Sequence, residues 1–426
     1  MKRLEDILNN AIWADALSCL SGDGPIYIAG CCGEPTAFLD ALEHDPNLAR
    51  KRIFTGVWIP GVNIRNSITN SDRTALSIFA STTMQNAINA DRVSLLPMHY
   101  STTFNWLNKD AGLSGGVFQV SPPRDGSVGL GVSCDFTPSV VNSNVPLIGQ
   151  INPAMPDIIN GPRIPIDRFQ HLIEVESPLI EYKIGPIDKV YEAIGRNVAE
   201  LVNDGDTLQL GLGKLQNAVL ASLSEHRSLK LYGGMLSPGV LTCLKNGSFD
   251  HATTGVALGT RKFYSEIANE TCVSFQPVSV THSAKKLANI ESFVSINSIL
   301  EVDLFGQGNG EFLGEKQITG HGGLLDFIRG SSSSNNGRSI LALPATARGG
   351  TISRIIPWLP AGAPVTVPRA DVDCIVTEYG AAYLKHATVQ QRAERLINIA
   401  APEFRAALER AWHTSDLTEF NLWLRN

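Results

Sequence analysis

The chain has 426 residues, 43% of them hydrophobic and 18% charged, with a net charge of −6. That length exceeds one ordinary core, and the modest, evenly spread charge argues against a nucleic-acid surface. No apolar run approaches the roughly 18 residues of a membrane span, and seven cysteines without CxxC spacing exclude a disulfide framework.

Residues 1–20 read as an amphipathic helix; acids interrupt its apolar pattern and no cleavage site follows, so it is not a signal peptide. With reduced thiols, this fits a cytoplasmic protein. The run PIYIAGCCGEPTAFLDAL (25–42) reads as strand, glycine turn (Gly30, Gly33) and helix. Cys31 and Cys32 fall at the strand end, where a thiolate is favoured; plain small apolar packing is the alternative. Strand-like runs follow at 93–96 and 116–120, then the turn-rich SPPRDGSVGLG and the proline-dense loop at 152–165. Residues 179–186 resemble a linker, so a first domain of 1–185 and a second of 186–426 are expected.

A long amphipathic helix over 187–203 opens the second half. TLQLGLGKLQNAVLASL (207–223) then repeats the strand, glycine turn and helix, with a strand over 208–212 and glycines at Gly211 and Gly213 flanking Leu212. A strand over 229–232 ends in Gly233 and Gly234. Two further glycine loops are GQGNG (306–310) and GHGGLLDF (320–327), while RGSSSSNNGR (329–338) reads as a flexible surface loop on composition. The last fifty residues are helical. Strands alternating with helices across both halves give an α/β fold: two related open domains with mostly parallel sheets.

Gly320, Gly322 and Gly323 can point several backbone N–H groups at one oxyanion or phosphate, although a plain tight turn looks the same in sequence. His321 has a donor to offer a substrate or a structural part to play. Ser237 sits near a strand end, but Pro238 follows and GxSxG is absent, so a turn or capping serine is expected. Glu378 and Tyr379 follow a β-branched strand with either role open. His, Cys and acidic residues are scattered, and no metal site is expected. The residues alone give a glycine-lined site for an anionic ligand at the carboxyl ends of parallel strands.

The order of whole segments says more. QVSPPRDGSVGLGVSCDF, INPAMPDIINGPRIP, LQLGLGKLQNAVL, GTRKFYSEI, INSILEVDLFGQGNG, GGLLDFIRG, LPATARGGTISRI and VDCIVTEYGAAYL resemble successive blocks of the acetyl-CoA hydrolase/transferase family, on its 4-hydroxybutyrate CoA-transferase branch. The resemblance implies two class I CoA-transferase domains with the active site between them. It implies acyl-CoA as substrate, a carboxylic acid or other acceptor, and a homodimer or homotetramer. In that family a glutamate carboxylate takes the acyl group as a mixed anhydride, then CoA as a thioester. By position, Gly211 to Gly213 and Gly320 to Gly323 would hold CoA and the oxyanion, with Arg348 and Gly349 helping to close the site and Met235, Ser237 and Leu324 lining it.

The departures fall where the chemistry belongs. The family's S/T-E-M/V motif reads Gly233, Gly234, Met235, so glycine occupies the nucleophile's position at Gly234. GGQxDF reads GGLLDF with Leu324 for glutamine; G-x-G-x-x-P has Gln216 for proline; and H-x-S-E reads His99, Tyr100, Ser101, Thr102. Glycine carries no carboxylate, so the glutamyl-CoA route is expected to be lost unless another acid serves. Glu34, Glu174 and Glu176 are the substitutes weighed, each more ordinarily a surface or salt-bridged acid. Expected is a CoA-thioester-dependent enzyme acting on an acyl-CoA: in the plain version by CoA transfer to a carboxylate, in the version the residues favour by a glutamate-independent reaction such as hydrolysis or carbon–carbon chemistry, with a non-catalytic acyl-CoA binding or sensing protein as the alternative.

Overall fold

The computed structural model describes residues 10–63, 65, 67–70 and 72–414. Two compact units divide the chain. One comprises Met1–Lys183, Gly234–Pro238 and Thr253–Thr281; the other comprises Ile184–Gly233, Gly239–Ala252 and His282–Asn426.

The first unit is built on an open seven-stranded sheet of β1 (Ile26–Ile28), β2 (Ile53–Gly56), β3 (Thr74–Ser77), β4 (Val93–Leu95), β5 (Gly115–Val120), β6 (Leu147–Ile151) and β7 (His171–Glu174). Their order is β4-β3-β2-β1-β5-β6-β7, and every pairing is parallel. The central strand β1 is buried on both faces, which is why IYI reads as a continuous apolar run rather than an alternation. Helix α1 (Asn10–Ser18) sets Trp13 against Phe38 of α2 (Thr36–His44), ring centroids 5.1 Å apart. Residues 1–9 of the expected N-terminal helix lie outside the described residues. The same unit includes α3 (Tyr100–Lys109) and the late two-residue strands Met235–Leu236 and Val256–Ala257, which pair in parallel.

In the second unit β8 (Thr207–Leu210) lies between β9 (Leu229–Tyr232) and β10 (Phe293–Ser298); β11 (Arg338–Ala342) and β12 (Cys374–Thr377) extend the parallel sheet, and β13 (Gly380–Tyr383) turns back antiparallel. Both units thus place their first strand inside the sheet, with the second strand on one side and a later one on the other. The internal repeat is a repeat of topology.

Helix α4 (Lys189–Ala199) is shorter than the expected 187–203; its start is set by Asp188, which caps it by accepting from the N–H groups of Val190 and Tyr191, and it ends at Ala199. Helix α5 (Lys214–Ser222) follows β8, and α7 (Val389–Asn398) and α8 (Pro402–Thr414) account for the helical C-terminal region within the described residues. One expectation is overturned. The first half of the serine-rich stretch expected as a flexible loop, residues 329–333, is the end of helix α6 (Leu324–Ser333), and Ser331 is fully buried. Its Oγ lies 3.1 Å from that of Ser295 on β10 and donates to the Ile328 carbonyl at 2.9 Å. Small hydroxyls let the helix approach the sheet closely, and composition registers only their polarity. Among the described residues no helix is long and apolar enough to cross a membrane.

Candidate functional site

The second unit presents the two glycine loops on one edge of its sheet. Helices α5 and α6 each join parallel strands and run back against them, so their N-termini lie at the carboxyl edge. Strand β8, buried throughout, delivers Gly211, Leu212 and Gly213 to that edge. Gly213 begins α5 with φ +119°, a conformation that needs glycine. The buried Gln216 side chain folds back over the turn; its amide nitrogen stands 3.5 Å from where a Cβ on Gly211 would lie, and its oxygen 3.4 Å from one on Gly213. Gln209 and Asn297 exchange amide hydrogen bonds of 3.1 and 2.8 Å beneath the same edge.

In the second loop Gly322 has φ +53° and Gly323 begins α6, with Leu324 as its first helical residue. A Cβ on Gly323 would stand 2.6 Å from Cδ2 of His282, so an imidazole occupies the room of the missing side chain. That ring packs on Phe327 with centroids 4.4 Å apart, and burial pushes its pKa down to about 3, leaving it neutral. His321 Nδ1 lies 3.6 Å from Oε1 of Glu311, whose Oε2 accepts from Thr366 at 2.9 Å. Burial pushes the Glu311 carboxyl up, but His321 and Thr366 outweigh it and hold the group below the usual range. Arg348, Gly349 and Gly350 are three successive left-handed residues, φ +47°, +67° and +91°, at the tip of a short hairpin beyond β11. Glu378 accepts from the Ala345 N–H at 2.8 Å and the Arg405 guanidinium lies 5.7 Å from the Tyr379 ring centroid, so both residues are tied to the scaffold.

The other residues read from sequence belong to the first unit. Gly234 precedes the strand Met235–Leu236, and buried Ser237 precedes a helix opening at Pro238. Glu174 and Glu176 are exposed, whereas Glu34 is 2% exposed. Glu34 accepts from Asn63 Nδ2 at 2.5 Å and lies 3.7 Å from Arg65 Nε. Asn63 also bonds the N–H and C=O of Cys31, at 2.9 and 3.0 Å, holding that non-glycine residue at φ +51°. Sequence reasoning missed Asn63, a single amide in a loop.

Burial raises the Glu34 pKa from 4.5 to about 7, against Asn63 and Arg65, which lower it. The folded state therefore holds a proton that the unfolded chain releases. This contribution to stability is fully present below about pH 4.5 and lost as pH rises through about 7. The Glu34→Gln chain is expected to lose less stability than wild type between pH 5 and 8, by on the order of 3 kcal/mol at most. Urea unfolding at the two pH values checks it; parallel curves would show that Glu34 titrates normally.

All seven cysteines are free. Among the described residues no group of three or more His, Cys, Asp or Glu side chains could hold a metal ion.

The family model for the acetyl-CoA hydrolase/transferase C-terminal domain matches residues 259–412. The chain is 36% identical over 406 residues to a 4-hydroxybutyrate coenzyme A transferase of Clostridium kluyveri, covering 92% of this chain and 94% of that one. RipA from Yersinia pestis superposes with a TM-score of 0.88 at 27% identity, over 97% of this chain and 99% of that one. A 4-hydroxybutyrate CoA-transferase from Porphyromonas gingivalis superposes with a TM-score of 0.77 at 30% identity, over 95% and 97%.

Proposed function

The chain belongs to the acetyl-CoA hydrolase/transferase family, and from that premise we propose that it consumes an acyl-CoA without passing through an enzyme-bound glutamyl-CoA. Its relatives are CoA transferases and acetyl-CoA hydrolases, so acyl-CoA transferase/hydrolase chemistry on a CoA-transferase scaffold is the coarse reading. The finer reading is carried by one observation: Gly234 stands where the family motif has its nucleophilic glutamate.

The glycine loops support retention of CoA. Each ends at the N-terminus of a helix nine or ten residues long, where unsatisfied N–H groups and the helix dipole favour an anion. Gly211 to Gly213 and Gly320 to Gly323 would hold CoA phosphate and the thioester oxyanion, and the Arg348–Gly350 tip would supply a cation. Without a glutamate, water or a second substrate attacks the thioester carbon, and CoA leaves as the thiol. Hydrolysis is the simplest case, with Glu34 the carboxyl weighed from sequence for activating the attacking group.

The experiment is an acyl-CoA panel (acetyl, butyryl, succinyl and 4-hydroxybutyryl) with and without a carboxylate acceptor, followed by borohydride trapping and mass spectrometry. Release of free CoA without acceptor, with no CoA adduct on any acid, is the expected result. An adduct on a carboxylate would restore the glutamyl-type route by another residue. Stabilisation by CoA without any turnover would instead make the protein a binder.

A further inference from the structure

A buried carboxamide without a bond lies against the first glycine turn of the second unit. Gln216, 4% exposed, is the third residue of α5, where the family pattern G-x-G-x-x-P has proline. Its side chain makes no hydrogen bond among the described residues, yet neither amide atom is sealed from solvent. Every other buried asparagine or glutamine among the described residues is bonded. In this unit Gln209 and Asn297 satisfy each other, and Asn309 Nδ2 donates to Glu301 Oε2 at 3.1 Å and to the Phe312 carbonyl at 2.9 Å. In the first unit Gln119 Nε2 donates to the Glu34 carbonyl at 3.0 Å, and Gln150 Oε1 accepts from the Ala37 N–H at 3.1 Å. Asn152 Nδ2 donates to the Ser177 carbonyl at 2.8 Å, and Asn63 holds Cys31 as described above. Withdrawing an amide from water without a partner costs free energy that a proline at the same place would not.

The turn beside it is open in the same way. Gly213 supplies no side chain to cap α5, so the N–H groups of the first helical turn have no acceptor there. Gly211, Leu212 and Gly213 are half-buried and Lys214 is exposed, so solvent reaches the turn. The Gln216 amide nitrogen stands by Gly211 and its oxygen by Gly213, 3.5 and 3.4 Å from where Cβ atoms on them would lie. A donor, an acceptor and a row of backbone N–H groups therefore share one stretch of turn. The N–H groups suit an anionic oxygen. A neutral carboxamide does not, because its own oxygen repels a bare anion that its nitrogen attracts. Its complement is a ligand with both C=O and N–H groups. CoA carries two secondary amides along the pantetheine arm that joins its nucleotide to its sulfur.

We propose that Gln216 is a specificity-determining contact for the pantetheine arm of CoA, its carboxamide donating to an amide C=O of the arm and accepting from an amide N–H. This rests on the reading of the Gly211–Gly213 turn as part of the CoA site. Every residue of the contact belongs to the second unit. The ligand completes hydrogen bonds that the fold leaves open, so the glutamine that is a cost in the ligand-free chain becomes a gain in the complex.

The test is calorimetric binding to wild type, Gln216→Met and Gln216→Pro, with thermal melts of the same chains free of ligand. The probes are CoA and adenosine 3′,5′-bisphosphate, a fragment of its nucleotide end that lacks the arm. Methionine keeps the length of glutamine and removes both polar atoms. Proline fits the first helical turn, where the N–H it removes has no intrahelical partner, and it carries the test if methionine packs poorly. Both variants are expected to bind CoA roughly 10-fold more weakly, the loss of two hydrogen bonds, and to bind the bisphosphate as wild type does. Their melting temperatures without ligand are expected at or above that of wild type, because an unbonded buried amide has gone. Unchanged CoA affinity in Gln216→Met would overturn the contact. An equal loss toward the bisphosphate would overturn it by moving Gln216 to the nucleotide end. A lower melting temperature in both variants would make the role structural and overturn it as well. A wild-type chain that binds neither probe would overturn the CoA reading of the turn, and this contact with it.

Discussion

Gly234→Glu is expected to confer CoA transfer between an acyl-CoA and a carboxylate acceptor, with a borohydride-sensitive CoA adduct on the introduced side chain. The wild-type chain is expected to show neither. The backbone permits the change: Gly234 is not among the residues with a left-handed φ, so a side chain meets no conformational penalty of that kind. Its carbonyl is fixed by Gly255 and Val256, which gives the introduced carboxylate a defined origin. A carboxylate can form the anhydride and thioester that glycine cannot. Intact-mass spectra after incubation with acetyl-CoA provide the readout. Absence of an adduct, in a variant that still binds CoA, would mean that position 234 does not face the thioester.

Gly323→Ala is expected to destabilise the chain by about 1–3 kcal/mol and to weaken CoA binding at the same time. The added methyl would fall within van der Waals distance of the His282 ring, 2.6 Å from Cδ2. That ring is 2% exposed and lies against Phe327, so it has little freedom to retreat. The double substitution Gly323→Ala with His282→Ala should be less damaging than the sum of the single ones, because the methyl would enter the space vacated by the imidazole. Urea unfolding of the four chains measures the coupling. Additive effects would show that the contact is not what requires glycine.

Where an apolar run ended in glycine, the sequence was a good guide. IYI before Gly30 became an internal strand feeding a loop and a helix, because a strand buried on both faces leaves an unbroken apolar signature. TLQL before Gly211 did the same although it alternates, since its buried Gln209 is satisfied by the Asn297 amide. Ser331 misled for the opposite reason: a buried hydroxyl bonded across to Ser295 has the composition of a loop. The glycine loops were visible, but the causes of their glycines were not. His282 lies 41 residues before Gly323, and no local pattern joins them.

The first unit draws Gly234–Pro238 and Thr253–Thr281 from far down the chain, and a ribosome delivers residues in order. When residue 183 has emerged, β1 to β7 are all present, but the strands Met235–Leu236 and Val256–Ala257 are not. Until they arrive, the Cys32 thiol lacks the Ala257 carbonyl it donates to at 2.9 Å. The unit is completed only after about two thirds of the polypeptide has been made, so a nascent chain halted at the linker carries a thiol whose surroundings have yet to be synthesised.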